Sequence, residues 1–272
     1  SWMLMVGSLG MVASTLPVQW LMPHIGWRGI FLVLACGMVS AIFLIQWAVP
    51  RWTLNAPDSA ATKVHTGSKG YGEVWKNPYF RSLAPIGFFN FGGMVAIQTL
   101  WASPWMIKVG GYSAMQAATG LFWLHVAMLL SFLCWGLANP WLERKGYTAN
   151  RLMVMGLPFS ILSIAIIIIA GDTYATRAFG LLIAYCVCST VVALAQPAVG
   201  MAFRPELAGR ALSAYNLVIF SGIFTVQWGI GLLVDAFLAL NMTEPQAYQA
   251  AFGVFGLCCV ASYVYYLRAK TP

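Results

Sequence analysis

The residues of this sequence that could do chemistry sit inside long apolar runs, and they are few. His125 stands about halfway along one run, the only histidine so placed. An imidazole at that depth could contact a solute or carry a proton. Kept neutral, the same ring could equally hydrogen-bond a neighbouring helix. Earlier in the chain Asn90, Met94 and Trp101 return to one helical face, with Gln98 at its edge. Gly87, Gly92 and Gly93 lie alongside, where a helix can bend or be approached closely. Positions eleven apart nearly coincide at 3.6 residues per turn. Tyr185, Ser189 and Gln196 therefore form one stripe, and Asn216, Phe220, Ile223 and Gln227 another on the following run. Amides beside an indole suit a small polar organic solute, since the ring covers an apolar face while the amides orient polar groups. Two other readings stand beside this one. The amides and hydroxyls could bond helix to helix, at about 0.6 kcal/mol each on average, and Trp101 and Trp105 could be interfacial anchors.

What is missing narrows the chemistry further. All seven acids (Asp58, Glu73, Glu143, Asp172, Glu206, Asp235, Glu244) fall in connectors or near the ends of apolar runs, with Asp235 nearest to membrane depth. No Lys or Arg sits mid-run either. An intramembrane enzyme would need a nucleophile with a base, or a metal cluster, and one isolated histidine supplies neither. The reading is of no enzyme, no catalytic residue, no metal site and no cofactor. A G-x-x-x-x-G-K-[ST] nucleotide loop is absent. The six cysteines (Cys36, Cys134, Cys186, Cys188, Cys258, Cys259) all lie in apolar runs and read as small buried side chains. The net charge of +8 comes without the basic, aromatic-interleaved segment that holds a phosphate chain, so nucleic acid is not an expected partner.

The elements that must position these residues are set by composition. Hydrophobic residues make up 60% of the chain and charged ones 8%, with a mean hydropathy of +0.77. A soluble domain carries about 25% charged residues, so lipid is the expected solvent. Windows long enough to span a bilayer fall near 2–22, 29–49, 83–106, 114–139, 152–170, 176–201, 211–236 and 247–267. The expected fold is all-α, a polytopic bundle of eight membrane-spanning helices. A polar stretch over 50–81, carrying Asp58, Lys63, His65, Lys69, Glu73 and Lys76, divides it into 1–49 and 82–272, two spans before and six after.

Lys and Arg are retained on the cytoplasmic side of short loops. With the linker cytoplasmic, that side collects Arg51, Lys63, Lys69, Lys76, Arg81, Arg144, Lys145, Arg151, Arg204, Arg210, Arg268 and Lys270. Only Arg28, Lys108 and Arg177 fall opposite. Both ends of the sequence are then cytoplasmic, and a bacterial inner membrane is the expected location. The second, fifth and eighth spans are almost purely apolar and read as peripheral. The third, fourth, sixth and seventh carry amides, His or Tyr and read as facing protein or a watery cavity.

Eight spans divided two and six, with every third one apolar, resemble the last two thirds of a major facilitator superfamily transporter, helices five to twelve. Gly26-Trp27-Arg28-Gly29-Ile30-Phe31 is similar to the turn between the fifth and sixth family helices. Gly136 followed by Leu142-Glu143-Arg144-Lys145-Gly146 resembles the family's basic cytoplasmic loop motif, with Pro140 where the family has an acid and Trp141 at the next basic position. Arg204-Pro205-Glu206-Leu207-Ala208-Gly209-Arg210-Ala211, leading into Tyr215-Asn216, resembles the entry to helix eleven. The antiporter signature of the fifth helix is not matched, Pro17 being followed by Val18-Gln19-Trp20.

Ser1 lies already inside an apolar run, and the resemblance implies four further helices upstream. It also implies alternating access: a secondary active or facilitative carrier of a small polar organic solute, with or without a co-transported ion. A sensor or scaffold built on the same fold is the alternative.

Overall fold

The structure, a computed structural model, describes residues 2–48, 70–170 and 178–269. Arg51, Asp58, Lys63, His65 and Lys69 of the linker, Asp172 and Arg177 of one connector, and Lys270 lie outside the described residues. The rest is helical. Hydrocarbon offers no partner for a free amide, so each spanning segment must satisfy its own backbone.

The first helix, α1 (Trp2–Ala13), runs almost directly into α2 (Leu16–Ala48). Pro17 has no N–H to give to Ala13, and the ladder loosens at Ser14 and Thr15. Their hydroxyls bond back to the carbonyls of Met11 and Val12 at 2.8 and 2.7 Å. Helical geometry breaks again at Gly26, with φ 65° and ψ 172°, a conformation only glycine adopts readily. The Gly26 break lies at the boundary expected between the first two spans, whereas the break at Ser14 and Thr15 falls inside the window expected for the first, where Pro17 interrupts the ladder.

After the linker, the short helix α3 (Tyr71–Lys76) precedes a composite span over Pro78–Lys108. This span is built from α4 (Pro78–Pro85), a π-helical turn at Ile86–Phe91, α5 (Gly92–Ala96), a second π-helical turn at Ile97–Trp101 and α6 (Ala102–Lys108). The Asn77 side chain accepts from the amides of Tyr79 and Phe80, and Pro78 fills the first helical position.

Next in the chain come α7 (Ala114–Arg144), opened by a Ser113–Gln116 capping box, and α8 (Ala149–Ala170). The succeeding span comprises α9 (Ala178–Ser189), a 3-10 turn at Thr190–Leu194 and α10 (Ala195–Met201). The last two are α11 (Pro205–Ala239) and α12 (Glu244–Arg268). Seven described helices are long and apolar enough to cross a membrane, the kinked α2 segment being one of them.

Packing inverts the soluble rule. The buried polar set among the described residues includes Asn90, Gln98, His125, Ser160, Ser189, Thr190 and Ser262, while Phe43, Trp47, Phe159, Ile169 and Leu257 point outward. A surface of this kind is stable against lipid tails and costly in water. The composite span and α9–α10 are the most enclosed segments, and α2 has no buried residue. α12, expected to be peripheral, buries Phe252, Phe255, Cys259, Ser262 and Tyr266, the face it turns to α8, α11 and the first π turn.

Among the described residues, two ion pairs mark the ends of the bundle. Lys108 Nζ lies 3.0 Å from Glu244 Oε1, joining the end of the composite span to the start of α12. Arg204 lies 3.4 Å from Glu73, joining the start of α11 to α3.

Candidate functional site

Four of the nine predicted side chains, Trp101, Gln196, Asn216 and Gln227, lie along α11 where it crosses the composite span and meets α10. Gly222 and Gly92 set that crossing: a Cβ on Gly222 would fall 2.1 Å from the Phe88 carbonyl oxygen, and one on Gly92 would fall 2.8 Å from the Gly222 backbone. The two backbones are in contact, and side chains on either side of the crossing reach across it. Trp101 Nε1 donates to the Gln227 carbonyl at 3.1 Å, while Gln227 Nε2 donates to Thr99 Oγ1 at 3.0 Å. The Trp101 ring also meets Tyr248 edge-on at 6.0 Å.

Three turns earlier on α11, Asn216 Oδ1 accepts from Gln196 Nε2 of α10 at 2.8 Å. Residues 216 and 227 are separated by about 16 Å along the helix axis. Between them lie Phe220, exposed, and Ile223, half-buried. Phe224 and Trp228 stack at 6.2 Å on an adjoining exposed face. The result is a strip with a polar pair at each end and apolar rings between, half-exposed along its length. It offers amide and hydroxyl donors and acceptors without a carboxylate or an ammonium. Chemically it can orient a neutral polar group.

The remaining predicted residues lie elsewhere. Asn90 is buried, and its Nδ2 donates to Ser262 Oγ of α12 at 2.7 Å. Gln98 is buried, and its Oε1 has no hydrogen-bond partner among the described residues. His125 is 5% exposed, with Nδ1 2.8 Å from the Leu121 carbonyl of its own helix. Tyr185 and Ser189 are both buried, and the Ser189 hydroxyl donates to the Tyr185 carbonyl at 2.7 Å.

Gln196 does not share their stripe. The 3-10 turn at Thr190–Leu194 advances about 120° per residue against 100° in an α-helix, so its five residues rotate α10 by roughly 100° relative to α9. The π turns act in the opposite sense, turning Asn90 to α12 and Trp101 to α11. Thr99 and Ser262 escaped the sequence reading. Thr99 adjoins Gln98 on a helix already marked as polar, which was the available signal. Ser262 lies on a helix read as apolar throughout.

Three hollows occur at other places. One of about 670 Å³ is bordered by Asn77, Tyr79, Thr148 and Asn150, with a Tyr79–Asn150 hydrogen bond of 2.8 Å in its wall. A second of about 510 Å³ is lined by Trp75, Arg81, Phe88, Phe89 and Tyr265 among others, and a third of about 450 Å³ by Tyr112, Trp123 and Phe179. None of these three is lined by any of the nine predicted residues. No cluster of three metal-binding side chains occurs among the described residues.

Comparison with known proteins places this architecture. A sequence model of the Major Facilitator Superfamily matches residues 1–226. A solved structure of a bacterial homolog to the human lysosomal transporter Spinster, inward-facing and unoccupied, superposes with a TM-score of 0.60 at 17% identity. It covers 97% of this chain and 64% of its own. The same homolog in its inward-facing, occupied conformation gives 0.57 at 18% identity, over 96% and 63%. The chain thus spans a little under two thirds of the length of these structures. No curated protein matches it.

Proposed function

We propose that this chain, which belongs to the major facilitator superfamily, serves a carrier that moves a small polar organic solute across a membrane by alternating access. The observation that supports this best is the half-exposed strip on α11. Its two amide-bearing pairs, Gln196–Asn216 and Thr99–Gln227, stand about 16 Å apart on either side of an apolar face, so a small solute engages one pair at a time, in place of its protein partner. Residues 1–49 are assigned to the close of one bundle, 50–81 to a cytoplasmic linker and 82–272 to a second, six-helix bundle. The basic residues support an orientation with the linker on the cytoplasmic side, and a bacterial inner membrane is the location proposed with it.

His125 is the weaker part of this reading. Its burial and its bond within its own helix favour a structural role over proton carriage, and coupling, where it exists, then belongs to other groups.

Reconstitution of the purified protein in proteoliposomes tests the proposal. A thermal-shift screen over amino acids, sugars, nucleosides and organic acids selects the solute, since a ligand stabilises the state it binds. Saturable, substrate-specific flux is expected, with KM raised about tenfold by Asn216→Leu or Gln227→Leu, the equivalent of one lost hydrogen bond to the solute. Specific binding without flux would replace transport by the sensor reading.

A further inference from the structure

We propose that the groove between α4, the first π turn and α12 is a binding site for an anionic glycerophospholipid. Its volume is about 510 Å³, and its walls are almost wholly apolar: Trp75, Phe80, Phe88, Phe89, Val218 and Tyr265 supply most of them. One charge stands at its edge. Arg81 is exposed, lies one turn into α4, and its guanidinium makes no hydrogen bond or ion pair with any described residue. The bundle's two described interhelical ion pairs bypass it, since Arg204 takes Glu73 and Lys108 takes Glu244.

The geometry sorts the groove by depth. Trp75, Arg81 and Tyr265 lie near the helix ends, Tyr265 three residues before the end of α12. Trp75 and Tyr265 are 42% and 47% exposed, which suits amphipathic rings at headgroup level. Phe88 and Phe89 lie about 12 Å further along the span and pack edge-to-face at 4.8 Å. A guanidinium at the rim and aromatic walls below it match a phosphodiester above an acyl chain. Arg can hold two phosphate oxygens at once, and the groove carries no acid that would repel them. A water-filled solute site would be wetter, and a bare anion site would not need the apolar trough. The same end of the bundle is the one that the basic loops place in the cytoplasm, where anionic lipids concentrate. The proposal does not depend on the transport reading.

The test uses the purified, delipidated protein titrated with dihexanoyl phosphatidylglycerol, dihexanoyl phosphatidylcholine and glycerol phosphate, read as thermal stabilisation. Phosphatidylglycerol should act at lower concentration than phosphatidylcholine, and glycerol phosphate only weakly. Arg81→Gln should weaken the phosphatidylglycerol response about fivefold, the equivalent of one basic contact near a membrane surface, while leaving the lipid-free melting temperature unchanged. Ala84→Phe, which fills the trough while keeping the Arg81 charge, should weaken both lipids. Equal responses to the two lipids, or an Arg81→Gln protein with the wild-type preference, would overturn the proposal. So would glycerol phosphate acting as strongly as the lipid, which would make this an anion site. Loss of solute flux with lipid preference intact would count against the transport reading alone.

Discussion

An amide that binds solute and an amide that only joins two helices differ in what their removal changes. Gln196–Asn216 and Thr99–Gln227 hold α10, α11 and the composite span together, and such bonds contribute about 0.6 kcal/mol each inside a membrane. Replacing Gln196 by Leu should therefore lower thermal stability slightly. If Asn216 also faces solute, Asn216→Leu should raise KM by more than its small stability cost explains. Equal stability losses with unchanged kinetics in both variants would mark the pair as a strut. His125 makes the opposite case. With Nδ1 on the Leu121 carbonyl and the ring 5% exposed, His125→Gln should leave the pH profile of uptake where it was. A flattened profile in that variant would restore the imidazole as a proton carrier. The polar residues themselves were legible in the sequence because amides are conspicuous in apolar runs. Their partners were not, because a hydroxyl such as Thr99 or Ser262 can bond its own helix anywhere and signals nothing by its presence.

Departures from the α-helix decide which residues share a face. A reading at 3.6 residues per turn placed Tyr185, Ser189 and Gln196 on one stripe and Asn90 with Trp101 on another. A 3-10 turn separates the first set, and two π turns separate the second. Periodicity carries no mark of either insertion, so the positions of the spans were legible and the azimuths of their later halves were not. The crossing of α11 over the composite span is the element that most depends on a single residue. Gly222→Ala would drive a methyl into the Phe88 carbonyl, and such overpacking costs about 1–3 kcal/mol. Gly229, on the same helix, has nothing within 4 Å of an added Cβ. Gly229→Ala should accordingly be neutral or stabilising. Melting temperatures of the two variants in one detergent would compare them directly. Equal effects would mean that the close approach at Gly222 does not limit the packing.

At the scale of the whole molecule, two independent features bear on topology. Lys108–Glu244 brings together the end of the composite span and the start of α12. Arg204–Glu73 brings together the approach to the composite span and the start of α11. Each pair joins connectors that the alternating in-and-out reading puts on one side, so the ion pairs agree with the order of the spans but leave open which side is the cytoplasm. The excess of Lys and Arg beside Arg204 supplies that sign. It can be read in cells with single cysteines introduced into a background lacking the six native ones, none of which forms a disulfide and of which Cys259 donates one long S–H bond, 3.7 Å, to the Phe89 carbonyl. A membrane-impermeant maleimide added outside should label Lys108→Cys and Asn241→Cys. Arg144→Cys and Arg151→Cys should react only after the membrane is opened. The reverse pattern would invert the protein and move the Arg81 groove to the outer leaflet, and labelling of all four from one side would mean that the spans do not alternate as their charges imply.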